Sequence, residues 1–194
     1  MYKKYFKRIV DILVGVGTLI VLLPLFIIVG ILIYLSSKGS IFYSQDRIGK
    51  NGEMFRLHKF RSMYTNKNFS VNTQVFKNDK NVTTIGKFIR RFKIDELAQI
   101  INVINGDMSI VGPRPVLPAV KEHFDENAEH RLKVRPGLTG LSQVNGNIHL
   151  PWKERWVFDR KYVENISFVN DIKIIFKTFA VILLGEEKFK KDNE

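Results

Sequence analysis

Twenty-four consecutive residues, Ile12 to Leu35, carry no charged side chain, and a proline stands at their centre. The run ILVGVGTLIVLLPLFIIVGILIYL would be about 36 Å long as one helix, at roughly 1.5 Å per residue, against a bilayer hydrocarbon core of about 30 Å. A chain built this way is expected to be a membrane protein. Pro24 removes the hydrogen bond to the carbonyl of Ile20 and bends or breaks the helix there. Each arm alone would reach about 18 Å, to mid-bilayer and no further. Lys3, Lys4, Lys7 and Arg8 precede the run, and Lys38, Arg47 and Lys50 follow it. Bases beside a membrane segment favour the cytoplasmic side. A spanning helix would push one basic flank outward, whereas a re-entrant hairpin bent at Pro24 keeps both inside. Prolines are tolerated in spanning helices, so the residues alone leave both arrangements open. The length of the apolar core and the poor cleavage site at Leu35-Ser36-Ser37-Lys38 argue against a signal peptide.

About 155 residues follow the anchor, enough for one domain with its own core. The chain carries a net charge of +12, and residues 12–194 hold 27 bases against 18 acids, a surplus of +9. Such a surplus points to an anionic partner: phospholipid headgroups, nucleic acid or phosphorylated substrates. There is no cysteine, which excludes disulfides and thiolate metal sites and suits a cytoplasm-facing domain.

Ile41-Phe42-Tyr43 and Glu53 to Phe60 flank an Asn51-Gly52 turn and predict a β-hairpin. The polar stretch Asn66 to Asn81 reads as a surface loop or lid. Ile85, Phe88, Ile89 and Phe92 fall at helical spacing among Lys87, Arg90, Arg91 and Lys93. They predict an amphipathic basic helix that either lies on an anionic membrane or packs on the core. Asp95 to Ile104 continues as helix, with Leu97, Ile100, Ile101 and Ile104 on one face. Two loops rich in Gly and Pro follow, Val111 to Pro115 and Arg135 to Gly140. Trp152 to Val163 and Asp171 to Leu184 read as helices, the second with an apolar face of Ile172, Ile175, Phe176 and Phe179 opposite Lys173 and Lys177. The expected fold class is α+β, helix-dominated, with a small sheet.

Few residues suit catalysis. There is no Gly-x-Ser-x-Gly, no Walker loop and no histidine pair at metal spacing. His58, His123, His130 and His149 are scattered and read as structural. Asp95 and Glu96 open a helix directly after Arg90-Arg91. Acids in a first helical turn are ordinary caps, but two carboxylates among several cations also suit phosphate chemistry with a divalent cation. Arg114, between two prolines, is a bidentate phosphate donor on a stiff backbone; its spacing alone equally fits a surface turn.

Taken together, these segments resemble a known family. Lys7-Arg8 with Asp11, Lys59-Phe60-Arg61-Ser62-Met63, Ile94-Asp95-Glu96-Leu97 and Asn102 through the Gly112-Pro113-Arg114-Pro115 run all match. So do Arg135-Pro136-Gly137-Leu138-Thr139-Gly140, Gln143-Val144-Asn145-Gly146, and Tyr162-Val163 with Asn165 and Ser167. The chain is similar, from about Tyr2 to Leu184, to the bacterial sugar transferases, the monotopic polyprenyl-phosphate phosphoglycosyl transferases, in their minimal single-domain form. The resemblance implies transfer of a sugar 1-phosphate from a UDP-sugar to polyprenyl (undecaprenyl) phosphate, with release of UMP, at the cytoplasmic face of the bacterial inner membrane. It places the nucleophile on Asp95, with Glu96 completing the dyad, and the metal, Mg²⁺, on Asp95 and Glu96. It places phosphate-binding residues on Lys59, Arg90 and Arg114, a further acid on Asp159, and a re-entrant anchor bent at Pro24. It implies a basic tail and anchor over 1–38, a catalytic domain over 39–185 and a flexible tail over 186–194. Anionic membrane lipids are expected partners and nucleic acid is not, since the bases follow no recognised binding motif.

Three departures stand out. Leu23 precedes the anchor proline where the family often has Ser, Asn147 follows Gln-Val-Asn-Gly where Arg is common, and Leu141-Ser142 replaces Trp-Ala. The last two fall where nucleotide or sugar contacts are expected, so the sugar is not inherited. A non-catalytic, membrane-tethered binding or scaffold protein for anionic ligands is the alternative, and it would tolerate Asp95→Asn.

Overall fold

The computed structural model describes residues 1–64 and 81–189. A π-helical turn, Tyr2–Phe6, leads into helix α1, Lys7–Ser36. Strands β1, Phe42–Ile48, and β2, Met54–Phe60, form an antiparallel hairpin. Its turn sets Asn51 and Gly52 at positive φ, the conformation for which the Asn-Gly pair is suited. Helices α2 (Thr84–Arg91), α3 (Ile94–Leu97) and α4 (Ile100–Asn105) follow, then strand β3, Ser109–Val111. After the short helix α5, Glu126–Glu129, strand β4 (Gly137–Thr139) lies parallel to β3. Helices α6, Trp152–Glu164, and α7, Phe168–Leu184, close the fold, with a 3₁₀ turn at Glu186–Phe189. The fold is thus α+β and helix-dominated. The loop or lid expected over Asn66 to Asn81 lies, apart from Asn81, outside the described residues.

Helix α1 is long and apolar enough to cross a membrane, and only 22 % of its most apolar window is buried. Helical structure continues through Pro24, from Lys7 to Ser36. Tertiary contacts explain why one lost hydrogen bond does not end the helix. Asp11, Gly15, Phe26, Val29, Gly30 and Ile33 form a buried stripe on both sides of the proline. Phe26, Val29 and Ile33 share a core with Leu57, Phe60, Ile89, Ala98, Ile100, Val103 and Met108. Both basic flanks therefore return to one body.

The residues that looked like membrane-flanking charges are also clamps. Lys7 pairs with Asp171 of α7 at 2.7 Å. Arg8 donates to the carbonyls of Val103 and Ile104 at 2.6 and 2.8 Å, capping α4. Asp11 accepts from Ser109 Oγ (2.8 Å) and Ile110 N (3.0 Å), fixing β3. At the other end Arg61 donates to the carbonyls of Ser37 (2.6 Å) and Lys38 (3.0 Å) beyond the last turn of α1.

Three sequence expectations are corrected. The helix expected from Asp95 to Ile104 is broken into α3 and α4. In α2, Ile89 enters the core while Phe88 and Phe92 stay exposed, their rings 5.0 Å apart and tilted by 57°. In α7 the core-facing side is Asp171, Ile174 and Val181, whereas Phe176 and Phe179, counted on the apolar face, are 71 % and 60 % exposed. That helix has more apolar surface than one core contact uses: of the expected face Ile175 packs against the core cluster, and the two phenylalanines face outward.

The two Gly-Pro loops are not irregular throughout: Val111 ends β3, and Gly137–Thr139 form β4 within the second. A Cβ on Gly137 would collide with the backbone nitrogen of Gly112, and one on Gly140 with its carbonyl oxygen. The two segments lie closer than any side chain allows, which is why glycine recurs there.

Candidate active site

The site is assembled from four segments. Thr83 caps α2 by accepting from Gly86 N at 2.8 Å. The helix ends at Phe92, and Lys93 takes a left-handed backbone, φ 55°, that redirects the chain. Asp95 and Glu96 thus sit in the first turn of a new four-residue helix. Being adjacent, they point in different directions, and their surroundings differ accordingly.

Glu96 is an electrostatic hub. Its Oε1 accepts from Lys59 Nζ at 2.8 Å and from Arg114 Nη2 at 2.8 Å. Arg114 Nη1 lies 3.5 Å from the other oxygen. Burial pushes this carboxyl up, but Arg114 and Lys59 outweigh burial and hold it well below the usual carboxylate range. Lys59 reaches it from β2, where alternation sends the next residue, Phe60, into the core against Phe26 with ring centroids 5.1 Å apart. Arg114 reaches it from the loop after β3.

Asp95 is the opposite case. Burial, and then the negative charge of Glu96, raise its carboxyl to about 6, against the pull of Lys59 and Arg90. It is the carboxylate whose charge is least compensated in place, and so the one with most to gain from an incoming cation or an electrophilic phosphorus.

Asp159, on α6, does not join this cluster. It forms a buried pair with Arg131 at 3.5 Å and accepts from Ser142 Oγ at 3.0 Å. Burial raises its carboxyl to about 6 despite the arginine beside it, and burial also lowers Arg131. Arg131 then donates to the backbone carbonyl of Arg114. Asp159 therefore acts through Arg131 on the loop that presents Arg114. Arg131 was missed because it lies in His130-Arg131-Leu132-Lys133, which reads as a solvated basic turn; only its burial distinguishes it.

The departures at 141–147 resolve structurally. Ser142 is the buried partner of Asp159. Asn147 is buried with φ 47°, a left-handed conformation that asparagine tolerates better than most residues. No histidine enters the cluster: His58 meets Ser44 at 3.0 Å, and His130 lies beside Lys133 at 3.2 Å.

Next to Glu96 lies a small recess of about 40 Å³ lined by Arg47, Leu57, Lys59, Gln99, Arg114 and Pro115. A recess lined by Arg47, Lys59 and Arg114 suits a phosphorylated, anionic ligand. Comparison with known proteins agrees. Residues 2–185 match the family model described as bacterial sugar transferase. The chain is 40% identical to the exopolysaccharide production protein ExoY of Sinorhizobium fredii, over 94% of this chain and 88% of that protein. It is 37% identical to the undecaprenyl-phosphate galactose phosphotransferase of Salmonella typhimurium, covering 93% of this chain and 41% of that longer protein. It is 39% identical to the UDP-glucose:undecaprenyl-phosphate glucose-1-phosphate transferase of Escherichia coli, covering 89% and 39%. With a match that spans almost every residue from the anchor to the end of α7, this chain belongs to the bacterial sugar transferase family.

Proposed function

We propose that the protein transfers a sugar 1-phosphate from a UDP-sugar to undecaprenyl phosphate, at the cytoplasmic face of the membrane, as an early step of surface polysaccharide assembly. The observation that carries this reading is the division of labour between two adjacent carboxylates. Glu96 is fully engaged in orienting Lys59 and Arg114, while Asp95 is buried beside them with a raised pKa.

In the proposed reaction an Asp95 carboxylate oxygen attacks the phosphorus that bears the sugar. The bond from that phosphorus to the bridging oxygen breaks, and UMP leaves with the electron pair. An oxygen of the prenyl phosphate then attacks the same phosphorus, giving the prenyl diphosphosugar and restoring the Asp95 carboxylate. A covalent intermediate lets a soluble and a lipid substrate use one site in turn. Repulsion between the nucleophile and a phosphate charge at 4 Å is about 1 to 4 kcal/mol, depending on effective dielectric. Lys59, Arg90 and Arg114 offset it by holding phosphate oxygens.

Among the described residues no cluster of three or more metal-ligating side chains occurs. A carboxylate pair nonetheless fits Mg²⁺, which keeps several waters and uses one or two carboxylates together with substrate phosphates. Asp95, supported by Glu96, would hold it, and when bound it supplies neutralisation of diphosphate charge. The exposed apolar surface of α1, with Phe88, Phe92, Phe176, Phe179 and Leu183, supports residence in and on a membrane.

The relatives' names specify galactose, glucose and N-acetylgalactosamine at 37–39% identity to this chain. UMP release from a panel of UDP-sugars, with Mg²⁺ and undecaprenyl phosphate, tests the proposal. Release with one donor, abolished by Asp95→Asn and by EDTA, is expected. Equal release by Asp95→Asn would sink the mechanism.

A further inference from the structure

Arg47 entered the sequence reading only as a base following the apolar run, and the structure brings it to the recess beside Glu96. It lies on β1 opposite Phe55 and lines the recess together with Lys59, Gln99 and Arg114. Its Nη2 donates to Gln45 Oε1 at 2.7 Å. Its Nε is shielded from solvent and has no hydrogen-bond acceptor among the described residues. Burial and then the charge of Arg114 lower its pKa to about 10, which leaves it charged at neutral pH. Two cations, Lys59 and Arg114, already share the Glu96 carboxylate. Adding Arg47 gives three cations against the two carboxylates of Asp95 and Glu96 in this corner. A desolvated guanidinium N–H without an acceptor is costly, and a cationic excess in a concave site calls for an anion.

We propose that Arg47 is a substrate-binding residue whose guanidinium donates to a phosphoryl oxygen, so that Arg47, Lys59 and Arg114 form a three-sided cationic cradle. The inference rests on the reading of the protein as a phosphoglycosyl transferase and adds a contact to that site. Gln45 orients the guanidinium by accepting from Nη2, and Gln99 adds an amide to the wall of the same recess. The phosphoryl group belongs either to the nucleotide-sugar diphosphate or to the prenyl phosphate; the chemistry is the same, and kinetics separates the two.

The test uses the full chain in lipid nanodiscs as wild type, Arg47→Gln and Arg47→Lys. UMP release is measured with each substrate varied in turn, with thermal midpoints for all three proteins. Arg47→Gln is expected to raise the KM of one substrate, or lower its kcat/KM, by roughly tenfold to a hundredfold, the range of a lost charged hydrogen bond. Its thermal midpoint should be unchanged or higher, because an unsatisfied buried donor has gone. Arg47→Lys should recover part of the loss, since it keeps the charge without the planar fork. The substrate whose constant moves identifies the source of the phosphate. Unaltered constants for both substrates in Arg47→Gln, or a rate loss that merely follows a fall in thermal midpoint, would overturn the proposal. Calorimetric titration of each protein with inorganic pyrophosphate stands apart from turnover. Weaker binding by Arg47→Gln supports the cradle even if wild type releases no UMP, and equal binding refutes it.

Discussion

Asp95 and Glu96 are neighbours in sequence but electrostatic opposites, and each opposite has a measurable consequence. In the proposed reaction Asp95 must be ionised to attack, and burial raises its carboxyl to about 6. The acid limb of kcat/KM should therefore bend near pH 6 and fall about tenfold per unit below it, since this parameter reports the free enzyme. Unfolding by these carboxyls does not explain such a loss. Asp95 and Asp159 hold their protons more tightly folded than unfolded, so protonating them as pH falls from 6 towards 4 adds stability. Thermal midpoints over that window should show no matching collapse from these two groups. Glu96 behaves in reverse, with its contribution lost only at lower pH. Glu96→Gln should release Lys59 and Arg114 from their shared anchor and lower kcat/KM about a hundredfold while Asp95 remains; UMP-release kinetics would show it. Asp159→Ala leaves Arg131 buried without its anion. It should cost about 3 to 5 kcal/mol of stability, read as a lower denaturation midpoint, and weaken the hold on the Arg114 loop.

Among the elements, the β3–β4 pair carries the loop that presents Arg114. Gly137→Ala would drive a methyl into the Gly112 backbone, where there is no flexible side chain to yield. The variant should lose most of its activity although residue 137 touches no substrate in the proposed reaction. Circular dichroism with kinetics would separate this local displacement from general unfolding. Helix α1 makes a different demand. Its buried stripe continues on both sides of Pro24, and its two flanks are clamped to the same body by Lys7, Arg8, Asp11 and Arg61. Cysteines placed at Lys3 and Lys38 should both resist an impermeant thiol reagent on intact cells and both react after lysis. Reaction of only one in intact cells would refute entry and exit on a single face.

On the scale of the whole molecule, the anchor shares a core with the strand that carries Lys59. Phe26, Val29 and Ile33 pack with Phe60, whose neighbour in β2 is Lys59. Deleting residues 1–38 would uncover that core at roughly 2 kcal/mol for each of the three side chains, besides stripping the clamps from α4, β3 and α7. The truncated protein should aggregate rather than remain a soluble domain, as size-exclusion chromatography would reveal. The sequence by itself determined the apolar helix, the β-hairpin at Asn51-Gly52, α6 and the short-range pattern of the candidate site. Each of these depends on composition, periodicity or a turn preference acting within a few residues. Tertiary structure alone decided that α1 continues through Pro24, that α7 turns Ile174 and Val181 inward and Phe176 outward, and that Arg131 is buried behind Arg114. It also brought Lys59, Glu96 and Arg114 onto one carboxylate from separate segments. Those outcomes depend on which desolvated charge finds which partner across tens of residues, and local pattern carries no record of that pairing.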